Sequence, residues 1–184
     1  MHRVSQAVST RLVCGILCCL AASAWALPQA SQQEPPAGAQ PGAQAATLSP
    51  SKGDIIPAFE TLGIDGQAHK VSFPRGSKTV LLFFMSGCPH CHKMIPEWNR
   101  AYERKPANLG VYGVLMDQEP PGFWQTMPVS FPVLRSPGRE FLRQINVNRV
   151  PLVVRVGEGG RVEDVQMGET DLIRLGEMFA PVTK

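Results

Sequence analysis

The residues Cys88-Pro89-His90-Cys91-His92 place two thiols and two imidazoles within five positions. Cysteines at this spacing can open and close a disulfide, with the thiolate as the attacking form. The same residues satisfy C-x-x-C-H, the attachment pattern for c-type haem, and methionines are available as a second axial ligand. Zinc is a poorer match, because a structural ion needs four donors that surround it. Donors crowded into positions 88–92 cannot do so, and the only other histidine beyond the N-terminal segment is His69. The leading reading is thiol–disulfide exchange with no metal and no cofactor. A c-type haem protein transferring electrons through Cys88–His92 is the alternative.

Cysteine usage separates chemistry at this pair from a merely structural disulfide. Of five cysteines, Cys14, Cys18 and Cys19 lie in residues 1–26, which read as a signal peptide. His2, Arg3 and Arg11 give a weakly basic start, Leu12–Ala22 is apolar, and Ala24-Trp25-Ala26 supplies a small-x-small cleavage site. The apolar run from Leu12 to Leu27 is 16 residues, short of the roughly 20 that cross a bilayer. Membrane contact is therefore expected only if this segment stays uncleaved. The residues before the three cysteines are Val, Leu and Cys, not the small residue of a lipoprotein signal. A periplasmic or otherwise exported chain would keep only Cys88 and Cys91. Exported proteins usually staple distant loops with their disulfides. A pair this close removes little unfolded-state entropy, so chemistry is the better reason for it.

Residues 27–51 are expected to be a disordered linker. From Pro28 to Pro50 there are five Pro, five Gln and six Ala, against one charge (Glu34) and one large aliphatic residue (Leu48). Such a segment cannot bury enough apolar surface to offset its ordering entropy. The remaining residues, 52–184, fit one folded domain. The net charge of +3 includes Arg3 and Arg11; without them 16 basic residues face 15 acidic ones, or +1. No Lys/Arg-rich run exists, so a nucleic-acid partner has no electrostatic footprint.

The domain must hold the cysteine pair on a rigid frame. Phe59–Ile64 and Lys70–Phe73 flank Asp65-Gly66 as an N-terminal hairpin. Val80 to Met85 are six consecutive apolar residues, the mark of a strand covered on both faces. From Pro89 to about Arg104 a helix is expected, with Cys91, Ile95, Trp98 and Tyr102 on its inward stripe and a kink at Pro96. A second buried strand is Val111–Met116, followed by a short insertion at Phe123, Trp124 and Met127 and a short helix over Arg139–Ile145. Leu152–Val156 and Arg161–Met167 form a hairpin, and a last helix, Asp171–Phe179, is expected to be capped by Thr170. Together these predict an α/β domain with a central mixed β-sheet, helices on both faces and an N-terminal β-hairpin extension.

Within that frame Ser86-Gly87 makes the turn, Cys88 takes the N-cap, and Pro89 fits the first helical turn. The unpaired amides and positive dipole end of the helix favour a thiolate at Cys88. A partly positive His90 imidazole acts in the same direction. Cys91, one turn deeper, is placed to attack a mixed disulfide. Val150-Pro151, just before an apolar strand, is where a cis-proline loop fits against the pair. Trp98, Tyr102, Phe123 and Trp124 are read as packing residues, and His92 as a solvated helix residue.

Ser86-Gly87-Cys88-Pro89-His90-Cys91 after a buried strand, with Val150-Pro151 some sixty residues on, resembles the thioredoxin superfamily. Pro57, Phe59, Asp65-Gly66 and the segment Ser130-Phe131-Pro132-Val133-Leu134 resemble its exported TlpA/ResA branch, while Pro89-His90 is similar to the DsbA oxidases. The resemblance covers about Asp54 to Phe179 and implies a thioredoxin fold. It further implies Cys88 as attacking thiol, Cys91 as resolving thiol, and Pro151 as cis and substrate-contacting. Exported cysteine-containing proteins are the implied substrates, with a membrane redox partner. Gly87 stands where many relatives have Trp, Met94 where the TlpA/ResA pattern often has an acid, and Leu82 where thioredoxins bury one. The usual proton acceptor for the deeper cysteine is therefore missing, which leaves His90 or solvent for that role. Pro89-His90 favours a potential more oxidising than about −200 mV.

Overall fold

The computed structural model describes residues 49–181. The expected signal peptide and all but the end of the expected linker lie outside the described residues. Strand β1 (Phe59–Leu62) pairs antiparallel with β2 (Ala68–Val71) as a separate two-stranded sheet. The main sheet contains β3 (Lys78–Phe84), β4 (Leu109–Leu115), β5 (Val133–Arg135), β6 (Leu152–Val156) and β7 (Val162–Met167). Its order is β5-β4-β3-β6-β7. The β3–β4 and β4–β5 pairs are parallel, and β6 and β7 run antiparallel to their neighbours. Helix α1 (Pro89–Glu103) links β3 to β4, and the shorter helices are α2 (Phe123–Thr126), α3 (Arg139–Gln144) and α4 (Leu172–Met178). This is the thioredoxin-like α/β fold, a mixed sheet flanked by helices.

Alternation along the central strands sorts the core into two layers. Val80, Leu82 and Phe84 point with Val111, Leu115 and Val153 toward Cys91, Ile95 and Trp98 of α1 and Leu175 and Met178 of α4. Leu81, Phe83, Val154 and Val156 face the opposite way, against Phe59 and Val71 of the hairpin and Leu142 of α3. The hairpin extension is therefore a cover for the second face. Helix α1 continues through Pro96 as one element, and Trp98 is fully buried beneath it.

One local expectation changes, and two features add to the expected pattern. Asp171, not Thr170, caps α4: its Oδ1 accepts the Arg174 N–H at 2.8 Å, and aspartate is a stronger N-cap than threonine. The segment at Val133 is a strand of three residues, too short for period-2 alternation to register. The hairpin connection at Glu158–Gly160 is a 3-10 turn, in which a Cβ on Gly160 would lie 2.0 Å from the Ile56 carbonyl oxygen. Only glycine allows that approach.

Candidate active site

Buried strand β3 ends at Phe84 and feeds the turn Met85-Ser86-Gly87, where the Cys88 N–H donates to the Met85 carbonyl at 3.2 Å. Cys88 is the N-cap of α1, with extended φ/ψ of −94° and 110°, and Pro89 opens the helix. The orphan Cys91 N–H of the first turn donates to the Cys88 sulfur at 3.2 Å. Both cysteines are free thiols; Cys88 is half-buried and Cys91 fully buried. Burial pushes the Cys91 thiol well above the ordinary thiol range. Its hydrogen bond with Cys88 reinforces the rise, as do charges on Cys88 and Asp117, while a backbone hydrogen bond at Met85 partly opposes it. The pair is thus asymmetric, one sulfur accessible and one held protonated in the core.

The sequence-selected residues converge on this turn. The Val150–Pro151 peptide is cis. Val150 packs on the same core layer as Cys88 and Cys91. The Pro151 carbonyl accepts the Gly168 N–H at 2.8 Å, which brings the β7–α4 connection beside the proline. The next residue, Glu169, accepts from His90 Nδ1 at 2.6 Å and from Lys93 Nζ at 3.0 Å. Those donors hold the Glu169 carboxyl below the usual carboxylate range, His90 contributing most.

Other residues sit differently from expectation. His92 is half-buried rather than solvated: its Nε2–H donates to the Ser86 carbonyl at 2.6 Å, and its ring lies 5.8 Å from that of Phe123. Leu82 is indeed a buried apolar residue, but a carboxylate does approach the pair, from Asp117. It binds the Ser86 and Gly87 amides and the Ser86 hydroxyl. Asp117 lies two residues beyond parallel strand β4, and carboxyl ends of parallel strands are where α/β folds gather their sites; that rule was the signal available for it. Glu169 carries no comparable local signal, since only tertiary packing brings it to His90. The haem alternative is not favoured: Cys91 is enclosed by the core and His92 Nε2 is already engaged.

Sheet order, buried strand and N-terminal cysteine together define a thioredoxin-like thiol–disulfide oxidoreductase. The chain belongs to the Redoxin family, whose model matches residues 51–173. It is 26% identical over 142 residues to Sporulation thiol-disulfide oxidoreductase A of Bacillus subtilis (strain 168), covering 72% of this chain and 84% of that protein. The crystal structure of StoA from Bacillus subtilis matches with a TM-score of 0.58 at 21% identity, over 67% of this chain and 97% of that one. A Chlorobium tepidum structure assigned as thiol:disulfide interchange protein DsbE matches with a TM-score of 0.58 at 26% identity, over 71% and 96%.

Proposed function

We propose that this enzyme is exported and exchanges disulfides with cysteine-containing protein substrates through a mixed disulfide at Cys88, which Cys91 resolves. In the reducing direction the Cys88 thiolate attacks a substrate disulfide, forming the Cys88–substrate bond and releasing one substrate thiolate. Cys91 then loses its proton to solvent and attacks Cys88 sulfur. The Cys88–Cys91 bond forms as the Cys88–substrate bond breaks, and two electrons have passed to the substrate. Oxidation is the reverse sequence. The observation that carries this reading is the Cys91 N–H donating to Cys88 sulfur at the N-terminus of α1, which favours negative charge on that sulfur.

Pro89 sets the first helical turn, His90 adjusts charge beside Cys88, and Val150-Pro151 forms the wall against which a substrate strand lies. A TlpA/ResA-like framework with a DsbA-like Pro-His pair fits these roles. The signal peptide, linker and the domain beyond them give a periplasmic or otherwise exported enzyme, re-set by a membrane redox partner. Among the described residues no helix is long and apolar enough to cross a membrane. Equilibration against glutathione tests the proposal: a Cys88–Cys91 disulfide should form with a potential more oxidising than about −200 mV. A value near the thioredoxin figure of about −270 mV would contradict the assigned poise. Absence of a reversible Cys88–Cys91 disulfide would contradict the pairing itself.

A further inference from the structure

Asp117 joins the three elements that meet at the cysteine pair. Its Oδ1 accepts the Ser86 N–H at 2.8 Å, and its Oδ2 accepts the Ser86 hydroxyl at 2.9 Å and the Gly87 N–H at 3.3 Å. Ser86 is 5% exposed, and its carbonyl in turn accepts from His92 Nε2 of α1. One carboxylate after β4 therefore fixes the turn after β3, and Ser86 carries that constraint into the helix. Three donors on one side chain leave it little freedom to swing away.

That location has an electrostatic consequence. The ionisable groups acting on Cys91 are Cys88 and Asp117, and the carboxylate opposes a negative charge there. Resolution requires just such a charge, since Cys91 must become a thiolate before it attacks Cys88. Once Cys88 is in a mixed disulfide its own charge is gone, and Asp117 is what remains.

We propose that Asp117 is a positioning residue that fixes the turn presenting Cys88 and, as a held anion beside the pair, prolongs the Cys88 mixed disulfide. This rests on the roles assigned above to Cys88 and Cys91. The test mixes reduced full-length protein with excess disulfide-bonded peptide, quenches with acid over a pH series, and follows the protein–peptide adduct by intact mass. Asn at 117 keeps the shape and removes the charge. In Asp117→Asn the adduct should decay about two- to threefold faster at each pH, because a lower Cys91 pKa raises the thiolate fraction while nucleophilicity falls with a Brønsted slope of about 0.4–0.5, with the slope of log rate against pH retained. Decay equal to or slower than that of the unsubstituted protein overturns the proposal, slower decay indicating that Asp117 takes the Cys91 proton. Asp117→Ser serves as the second neutral variant if near-ultraviolet circular dichroism shows Asp117→Asn unfolded, and the same outcomes decide. Cys91→Ser run in parallel separates the two levels: if its adduct decays as fast as that of the unsubstituted protein, the assigned cysteine roles fail and the Asp117 proposal falls with them.

Discussion

His90 and Glu169, 79 positions apart, are joined by an Nδ1···Oε1 hydrogen bond of 2.6 Å across the mouth of the cysteine site. Gly168, adjacent to the acid, binds the Pro151 carbonyl, and Thr170 N–H reaches Met94 sulfur at 3.5 Å. The β7–α4 connection thus ties the residue between the two cysteines to the proline loop. An imidazole expected to act on Cys88 alone is shared with a carboxylate, which moderates its positive field.

The first prediction concerns the titration of this acid. His90 and Lys93 hold Glu169 below the usual glutamate range, so their interactions are present above its unfolded value and are lost as pH falls through the depressed one. His90→Ala should raise the Glu169 pKa toward its ordinary value of about 4.3, while Lys93 keeps part of the depression. Carboxyl carbon chemical shifts followed against pH check this. Glu169 titrating at the ordinary value in both proteins would contradict it.

A second prediction addresses Arg155, a buried cation in an otherwise apolar strand. Its guanidinium donates to the carbonyls of Glu177, Met178 and Ala180 at 2.9, 3.0 and 3.0 Å, satisfying the C-terminal end of α4. Glu163 Oε2 lies 3.5 Å from its Nε. Arg155→Leu leaves those carbonyls without their donor and should cost about 2–4 kcal/mol. Urea unfolding reads this, and a loss below about 0.5 kcal/mol would mean that water replaces the guanidinium at the helix end.

Gly113 supplies the third. Its position on β4 faces the aromatic cluster under α1, where Phe84, Trp98 and Phe131 pack edge to face. A Cβ there would meet Phe131 Cε2 at 2.7 Å and Phe84 Cε1 at 3.0 Å. Both rings are buried and hold one another in place, so Gly113→Ala should destabilise by about 1–3 kcal/mol. The midpoint of urea unfolding should fall; an unchanged midpoint would show that the rings retreat freely.

These sites mark where sequence reasoning ends. The apolar run Val80–Phe84 announces a central strand because both of its faces are covered, and the inward stripe of Cys91, Ile95 and Trp98 announces the helix that covers one of them. The cysteine turn was legible for a local reason: N-cap, proline and spacing are all properties of neighbours in the chain. Glu169, Asp117 and Arg155 act across 79, 31 and 23 positions respectively. No periodicity encodes such pairings. Arg155 even interrupts the pattern that identifies its strand, because its charge is satisfied by a helix end that the sequence does not place beside it. His92 looked solvated because its acceptor is a backbone carbonyl in the preceding turn.

The division of labour within the pair is tested most directly by trapping the covalent intermediate. Cys88 is the accessible sulfur and Cys91 the enclosed one, so each single-serine variant should behave differently toward a disulfide-bonded peptide. Cys91→Ser should accumulate a stable adduct, located at Cys88 by peptide mass mapping, whereas Cys88→Ser should accumulate none at mildly acidic pH. An adduct forming readily at Cys91 in the Cys88→Ser protein, with none at Cys88 in Cys91→Ser, would contradict the account.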